Sequence, residues 1–283
     1  MDSAPPTVLI TGASSGIGLE TVVAAARAGW RVVATMRDTT RAPALRTAAE
    51  QAGVADRVEI RPLDVTDTTS AELCVASVVA DHGRLDALIN NAGAGHVGTL
   101  EIDGVEQARK VMEVNFFGVL TVTAAALPHL RAAQGRIITV SSVGGVIGQP
   151  FNEAYCAAKF AVEGYMESLH PVAARLGVRV SLVEPGAVAS EFVRNVDVRS
   201  VQERAEKAGP YAPPMQAYLA RTADAFAAAQ TSPEAAAVVV ETLTAEHPAF
   251  RCQTSDWARA FVGAKLADLD GSAVTGMTAE WVV

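Results

Sequence analysis

The sequence predicts an α/β fold in which helices pack on a buried parallel sheet. Three observations carry that expectation. Short β-branched runs alternate along the chain with segments of helical spacing. Half of the residues are hydrophobic but only 5% are aromatic, so Ala, Val, Leu and Ile must fill the core, as suits helices on a parallel sheet. A glycine-rich turn directly follows the first β-branched run. At 283 residues the chain has room for one large α/β domain or two small ones.

Composition also narrows the function classes. A net charge of −8 argues against a nucleic-acid or anionic-membrane surface, since either calls for clustered Lys and Arg. Cys74, Cys156 and Cys252 are widely spaced without a CxxC pair, so neither a disulfide framework nor a metal site is indicated. Met1–Thr7 is short and acidic and lacks an apolar signal core, and no run reads as a bilayer span; cytoplasm is the expected compartment.

Thr7–Thr11 reads as the first buried strand. It runs into Gly12, Ser14, Ser15, Gly16, Ile17 and Gly18, then into a helix ending at Ala28–Gly29. Such a turn lets backbone N–H groups approach a pyrophosphate at a helix N-terminus. A tight strand-to-helix connection would use the same glycines; their place after the first strand of a βαβ unit favours a dinucleotide. Trp30–Met36 is the second strand, and Arg37 follows it at once. A neutral Met36 and a guanidinium suit a ribose 2′-phosphate, so NADP(H) is favoured over NAD(H). The alternative leaves Arg37 solvated and puts Asp38 on the ribose.

Thr39–Gly53 has helical spacing, and Arg57–Ile60 is the third strand. Asp64 and Val65 follow, placed where a loop can hold an adenine edge, with Asp67 as the cap of a helix over Ala71–His82 that Gly83 closes. Leu85–Asn90, the fourth strand, ends in Asn91, Ala92 and Gly93 at the carboxyl end of the sheet, where open parallel sheets bind ligands. Gln107–Leu130 carries one long helical pattern with Asn115 among apolar neighbours. A buried amide there must find partners; it braces backbone, or holds a water chain to a lysine.

Gly135–Val140 is the fifth strand, closed by Ser141 and Ser142. In the helix expected over Asn152–Leu176, Tyr155 and Lys159 stand one turn apart on one face. An ammonium so placed should lower the phenol's pKa towards the working pH and fit it for proton transfer, with Ser142 holding the substrate oxygen. Val178–Val183 is the sixth strand, and Pro185, Gly186, Val188 and Ser190 at its end are placed to bind a carboxamide.

Taken together, these residues resemble the short-chain dehydrogenase/reductase family. The matching pieces are TGASSGIG (Thr11–Gly18), LDV (Leu63–Val65), NNAG (Asn90–Gly93), Asn115, Ser142 with Tyr155 and Lys159, and PGxVxS (Pro185–Ser190), in family order over roughly residues 7–192. The stretch from Gly148 to Leu169 looks like the branch holding hydroxysteroid and photoreceptor-type retinol dehydrogenases. The resemblance implies a Rossmann-like, doubly wound sheet of seven parallel strands, in a single domain over residues 1–283. It implies roles as well: Tyr155 as general acid/base, Lys159 lowering its pKa and bonding the nicotinamide ribose, Ser142 positioning the carbonyl oxygen, Asn115 supporting the proton relay. Hydride passes between nicotinamide and a ketone or aldehyde carbon as Tyr155 protonates the oxygen. A homodimer or homotetramer through 107–130 and 152–176 follows by analogy. Two departures stand out. Ser190 replaces a usual Thr, and Arg221 falls where steroid-converting relatives carry a His, which argues against a phenolic steroid.

Past Ser190 the family pattern lapses. Residues 191–230 read as a substrate lid, helical on both sides of a break at Gly209–Pro214. Val143, Phe151, Val188, Phe192, Tyr218 and Phe226 are the candidates for an apolar pocket, about half of them expected to touch ligand. A helix from Pro233 to Glu246, capped by Ser232, and a strand at Ala249–Cys252 complete the pattern. The expected activity is oxidoreduction of a bulky apolar carbonyl compound or alcohol. A non-catalytic nucleotide-sensing regulator is the alternative, and it expects a missing catalytic residue where none is missing.

Overall fold

The computed structural model describes residues 4–190, 203–206, 208–227, 229–268 and 270–282. Seven parallel strands form one sheet. In chain order they are β1 (Thr7–Ile10), β2 (Arg31–Met36), β3 (Val58–Pro62), β4 (Ala87–Asn90), β5 (Arg136–Val140), β6 (Arg179–Glu184) and β9 (Arg251–Gln253). Across the sheet they lie β3-β2-β1-β4-β5-β6-β9, so the chain winds outward from β1, returns to its other side at β4, and winds outward again. The carboxyl ends of β1 and β4 part at that reversal, which opens a ligand crevice. Every residue of β1 and β4 is buried, as a central strand covered on both faces requires.

Helices α1 (Gly16–Arg27), α2 (Pro43–Gln51) and α8 (Ser232–Thr244) cover one face. Val22, Leu45, Val239 and Leu243 pack there on Val8, Ile10 and Val32. Helices α3 (Thr68–His82), α5 (Gly118–Ala133) and α6 (Glu153–Ala174) cover the other, with Val78, Val122, Leu130 and Met166 packed on Leu9, Leu88 and Ile137. A third, smaller core stands over the carboxyl ends of the strands. It joins Val143, Ile147, Phe151, Met215, Tyr218, Phe261 and Trp281 and roofs the crevice. Its helices are α7 (Ala212–Ala227), α9 (Asp256–Ala267) and α10 (Ser272–Ala279). Two short strands, β7 (Val188–Ala189) and β8 (Gln230–Thr231), pair in parallel and pin together the two ends of the 190–229 excursion.

Several local expectations hold. Asp67 caps α3, accepting from Thr69 N at 2.9 Å and Ser70 N at 3.2 Å, and Gly83 ends that helix at φ 72°. Others need correction. The single helix expected over Gln107–Leu130 is α4 (Leu100–Met112), a π-helical turn (Glu113–Phe117) and α5. Only Val111 of α4 is buried, so its first turns carry no apolar period to read. The stretch Leu100–Ala133 is also long and apolar enough to cross a membrane by length and composition, contrary to the expectation of none; here it packs against α3 and α6. Helix α2 starts at Pro43, after a 3₁₀ turn at Thr39–Arg41. The cap of α8 is Thr231 rather than Ser232. Glu234 stands three residues on and closes a capping box with Thr231, while the Ser232 hydroxyl bonds the Ala189 carbonyl. Helix α8 ends at Thr244 and the last strand is Arg251–Gln253, each a residue or two from expectation. Residues 191–202, the first part of the predicted lid, lie outside the described residues.

Candidate active site

A cleft of about 850 Å³ opens at the carboxyl ends of the strands. Its floor is the turn between β1 and α1. Gly12 has a φ of +68°, and a Cβ there would lie 2.7 Å from Ala92 Cα. A Cβ on Gly18 would lie 2.3 Å from Gly12 O and 2.4 Å from Asn91 Nδ2, so the turn closes only without side chains. Hydrogen bonds weld this turn to the end of β4. Thr11 Oγ1 accepts from Asn91 N and Ala92 N, each at 3.0 Å, and Asn91 Nδ2 donates to Thr11 O and Gly12 O, each at 3.0 Å. Ser15, at the N-cap of α1, makes no side-chain bond to the first turn. The leading N–H groups of the helix are therefore left for an anion.

Gly12, Ser14, Ser15, Gly16, Ile17 and Gly18 all line the cleft, as do Asn91, Ala92 and Gly93 from β4. So do Arg37, Asp64, Val65, Pro185, Gly186, Val188 and Ser190. At the end of β2 the Asp38 carboxylate is turned onto Thr40, accepting from its N at 2.9 Å and its Oγ1 at 2.7 Å. Those bonds hold Asp38 below the usual carboxylate range. Arg41 joins Arg37 on the cleft wall. Its place four residues after Arg37 was the only hint of it.

The end of β5 and the start of α6 bring Ser142, Tyr155 and Lys159 into the same cleft. Ser142 Oγ accepts from Gly144 N at 3.0 Å and hydrogen-bonds the Tyr155 phenol. Lys159 is almost wholly buried; its Nζ donates to the Val140 carbonyl at 3.0 Å and stands 5.9 Å from the Tyr155 ring centre. The expectation of an acidified phenol is not met. Burial pushes Tyr155 up to about 12, and the Ser142 bond pulls back by less. Burial likewise brings Lys159 down to about 8, against the opposing pull of Glu163. Desolvation is the largest cause of both shifts.

Asn115 does not line the cleft. It is fully buried in the π-helical turn, where Oδ1 accepts from Ala94 N at 3.1 Å and Nδ2 donates to Ala94 O and Val111 O, both at 2.9 Å. Both ends of its amide brace the backbone beneath Ala94, a residue of the cleft wall.

Among the apolar candidates, Val143, Val188, Tyr218 and Phe226 line the cleft. Phe151 stands behind, packed on Tyr218 at 5.7 Å, and Phe192 lies outside the described residues. The upper wall also holds His96, Trp257 and Trp281, which no motif marked, and Arg221, one of the two departures noted in the sequence. Three contacts tie the 203–227 segment to the loop and helix after β4. Arg204 reaches Asp103 Oδ1 at 2.6 Å and Val97 O at 2.9 Å, and Tyr211 Oη donates to Glu101 at 2.5 Å.

The sequence profile of the short chain dehydrogenases matches residues 6–200. Retinol dehydrogenase 8 of Bos taurus is 37% identical over 283 residues, spanning 96% of this chain and 88% of its own. The 17-beta-hydroxysteroid dehydrogenase type 1 of Homo sapiens is 37% identical over 272 residues, with 94% of this chain and 82% of its own covered. A solved short-chain dehydrogenase from Streptomyces avermitilis superposes with a TM-score of 0.77 at 31% identity, covering 99% of this chain and 97% of that one. Fold, cleft and relatives agree: the chain belongs to the short chain dehydrogenase family, NAD(P)-binding oxidoreductases of CH–OH groups.

Proposed function

We propose that the protein is an NADP(H)-dependent oxidoreductase that interconverts a bulky apolar ketone or aldehyde and the corresponding alcohol, with Tyr155 as general acid and base. The observation that carries this reading is the convergence of Ser142, Tyr155 and Lys159 on one cleft with an uncapped helix N-terminus. The residues fit a dinucleotide. Free N–H groups of α1 suit its pyrophosphate, and Arg37 with Arg41 suits a 2′-phosphate. The Asp38 carboxylate, committed to Thr40, is turned away from the ribose work that NAD(H) would ask of it.

A bound nicotinamide cofactor would supply or accept the hydride. The protein supplies the rest. A phenol at about 12 is protonated at neutral pH and ready to give its proton to a carbonyl oxygen. Ser142 Oγ, already bonded to that phenol, holds the oxygen in line. Lys159 keeps further ammonium hydrogens for ribose hydroxyls after bonding Val140. Residues 191–230 act as the substrate lid, for which the anchors from Arg204 and Tyr211 supply fixed points. Exposed Phe117, Phe160, Tyr165 and Val172 make the α5–α6 face the surface for a homodimer.

The test is NADPH oxidation against steroids, retinal, polyketide-like ketones and short aldehydes. Tyr155→Phe should lower turnover of any accepted carbonyl by at least ~10²-fold. Turnover retained in that variant refutes the assignment.

A further inference from the structure

We propose that Arg221 and Trp281 form an anion subsite in the upper cleft, which selects carbonyl substrates bearing a carboxylate at the end remote from the reacting carbon. This deepens the function proposed above and rests on it. The α7 wall of the cleft is largely apolar around Tyr218, Leu219 and Phe226, and the Thr222 hydroxyl is turned back onto the Tyr218 carbonyl at 2.7 Å. Arg221 is the exception on that wall. Its guanidinium lies 4.9 Å from the Trp281 ring centre.

That indole is itself held. Trp281 is only 9% exposed and stacks on Phe261 at 5.8 Å, which stacks on Trp257 at 4.9 Å. Trp257 abuts Gly186 at the carboxyl end of β6, where an added Cβ would meet its ring at 3.0 Å. A ladder of three rings thus leads from the reaction end of the cleft to the guanidinium. Such a shelf fixes a planar cation before any ligand arrives, so little side-chain freedom is lost on binding.

Two observations point to an anionic occupant. The chain holds 31 acidic against 23 basic residues, and Arg204 and Arg251 both have carboxylate partners. Arg221 has none among the described residues, although it faces the cleft. The Trp281 N–H in the same corner is buried and has no acceptor among the described residues. A carboxylate matches a guanidinium fork bidentately.

The experiment compares an acetylbiphenyl carboxylic acid and an ω-oxododecanoic acid with their methyl esters, as substrates with NADPH and as ligands by calorimetry. The free acids should bind and turn over with a KM or Kd roughly 10–100-fold below the esters, the worth of one charged hydrogen-bonded pair. Arg221→Ala should erase that difference by weakening the acids alone, leaving kcat and the KM for NADPH in place. Arg221→Lys should restore part of it. Equal handling of acid and ester by the wild-type protein, or equal weakening of both by Arg221→Ala, overturns the subsite. Either result, with Tyr155-dependent reduction of neutral carbonyls intact, leaves the proposed oxidoreductase standing; loss of all Tyr155-dependent turnover strikes the broader reading instead.

Discussion

Replacing Glu163 by glutamine should make the protein's stability less sensitive to alkali. Glu163 lies one turn beyond Lys159 on α6, with its side chain 6% exposed. Arg251 Nε stands 3.1 Å from its Oε2 and 3.3 Å from Oε1 of the fully buried Glu184. Two buried carboxylates thus share one half-exposed guanidinium. Burial pushes Glu163 from its ordinary 4.5 up to about 7, Glu184 adds to the rise, and Ser141 and Arg251 pull the other way.

Because the folded carboxyl holds its proton more tightly than the unfolded one, unfolding releases a proton between pH 4.5 and about 7. The contribution of Glu163 to stability is therefore full below that window and lost as pH rises through it. Each pKa unit is worth about 1.4 kcal/mol, so the whole loss is about 3 kcal/mol. Between about pH 5.5 and 8.5, both above the chain's pI of 5.2, roughly 2 kcal/mol of it remains to be seen. Glutamine keeps the shape and cannot titrate. Urea unfolding of both proteins at the two pH values gives the double difference, expected as a gain of about 0.7 M in relative midpoint for the variant if m is about 3 kcal/mol per M. A gap between the two proteins that does not change with pH refutes the reasoning.

Other expectations follow from the same geometry. Arg37→Ala should raise the KM for NADPH roughly 10–100-fold and leave that for NADH unchanged, since only the phosphorylated ribose offers it a charge. A parallel rise for both cofactors would mean that Arg37 merely shapes the loop. Gly18→Ala should destabilise by about 1–3 kcal/mol and abolish quenching of protein fluorescence by NADPH, because its Cβ would press on the Gly12 carbonyl at 2.3 Å. Normal stability and binding in that variant would show that the turn can shift. Arg204→Ala releases the Asp103 carboxylate, whose side chain is only 10% exposed, and the Val97 carbonyl. Substrate KM should rise several-fold with the KM for NADPH held, in steady-state assays with the accepted carbonyl; an unchanged substrate KM would remove Arg204 from the lid's anchorage.

The parts legible from sequence were those where one local rule suffices. Alternating runs and glycine turns placed the seven strands and the cleft floor, because strand and turn chemistry are local. The Thr231 cap was missed although its Glu234 partner stands in plain view three residues on, since Ser232 beside Pro233 satisfies a simpler rule equally well. Asn115 shows a harder limit: its residue type announces a need for partners, but only the fold reveals that Ala94 and Val111 meet it from both sides. The Tyr155 pKa fails for a related reason. Helical spacing fixes how near Lys159 must come, but the opposing desolvation depends on every chain segment that closes around the pair, and it prevails. Trp281 is farther still from any motif, and reaches the cleft only because Phe261 and Trp257 stack behind it. The chemistry of this site was therefore readable where it is carried by neighbours along a helix or strand. The selectivity proposed at Arg221 and Trp281 rests instead on a contact between α7 and the segment around residue 281, which only the fold brings together.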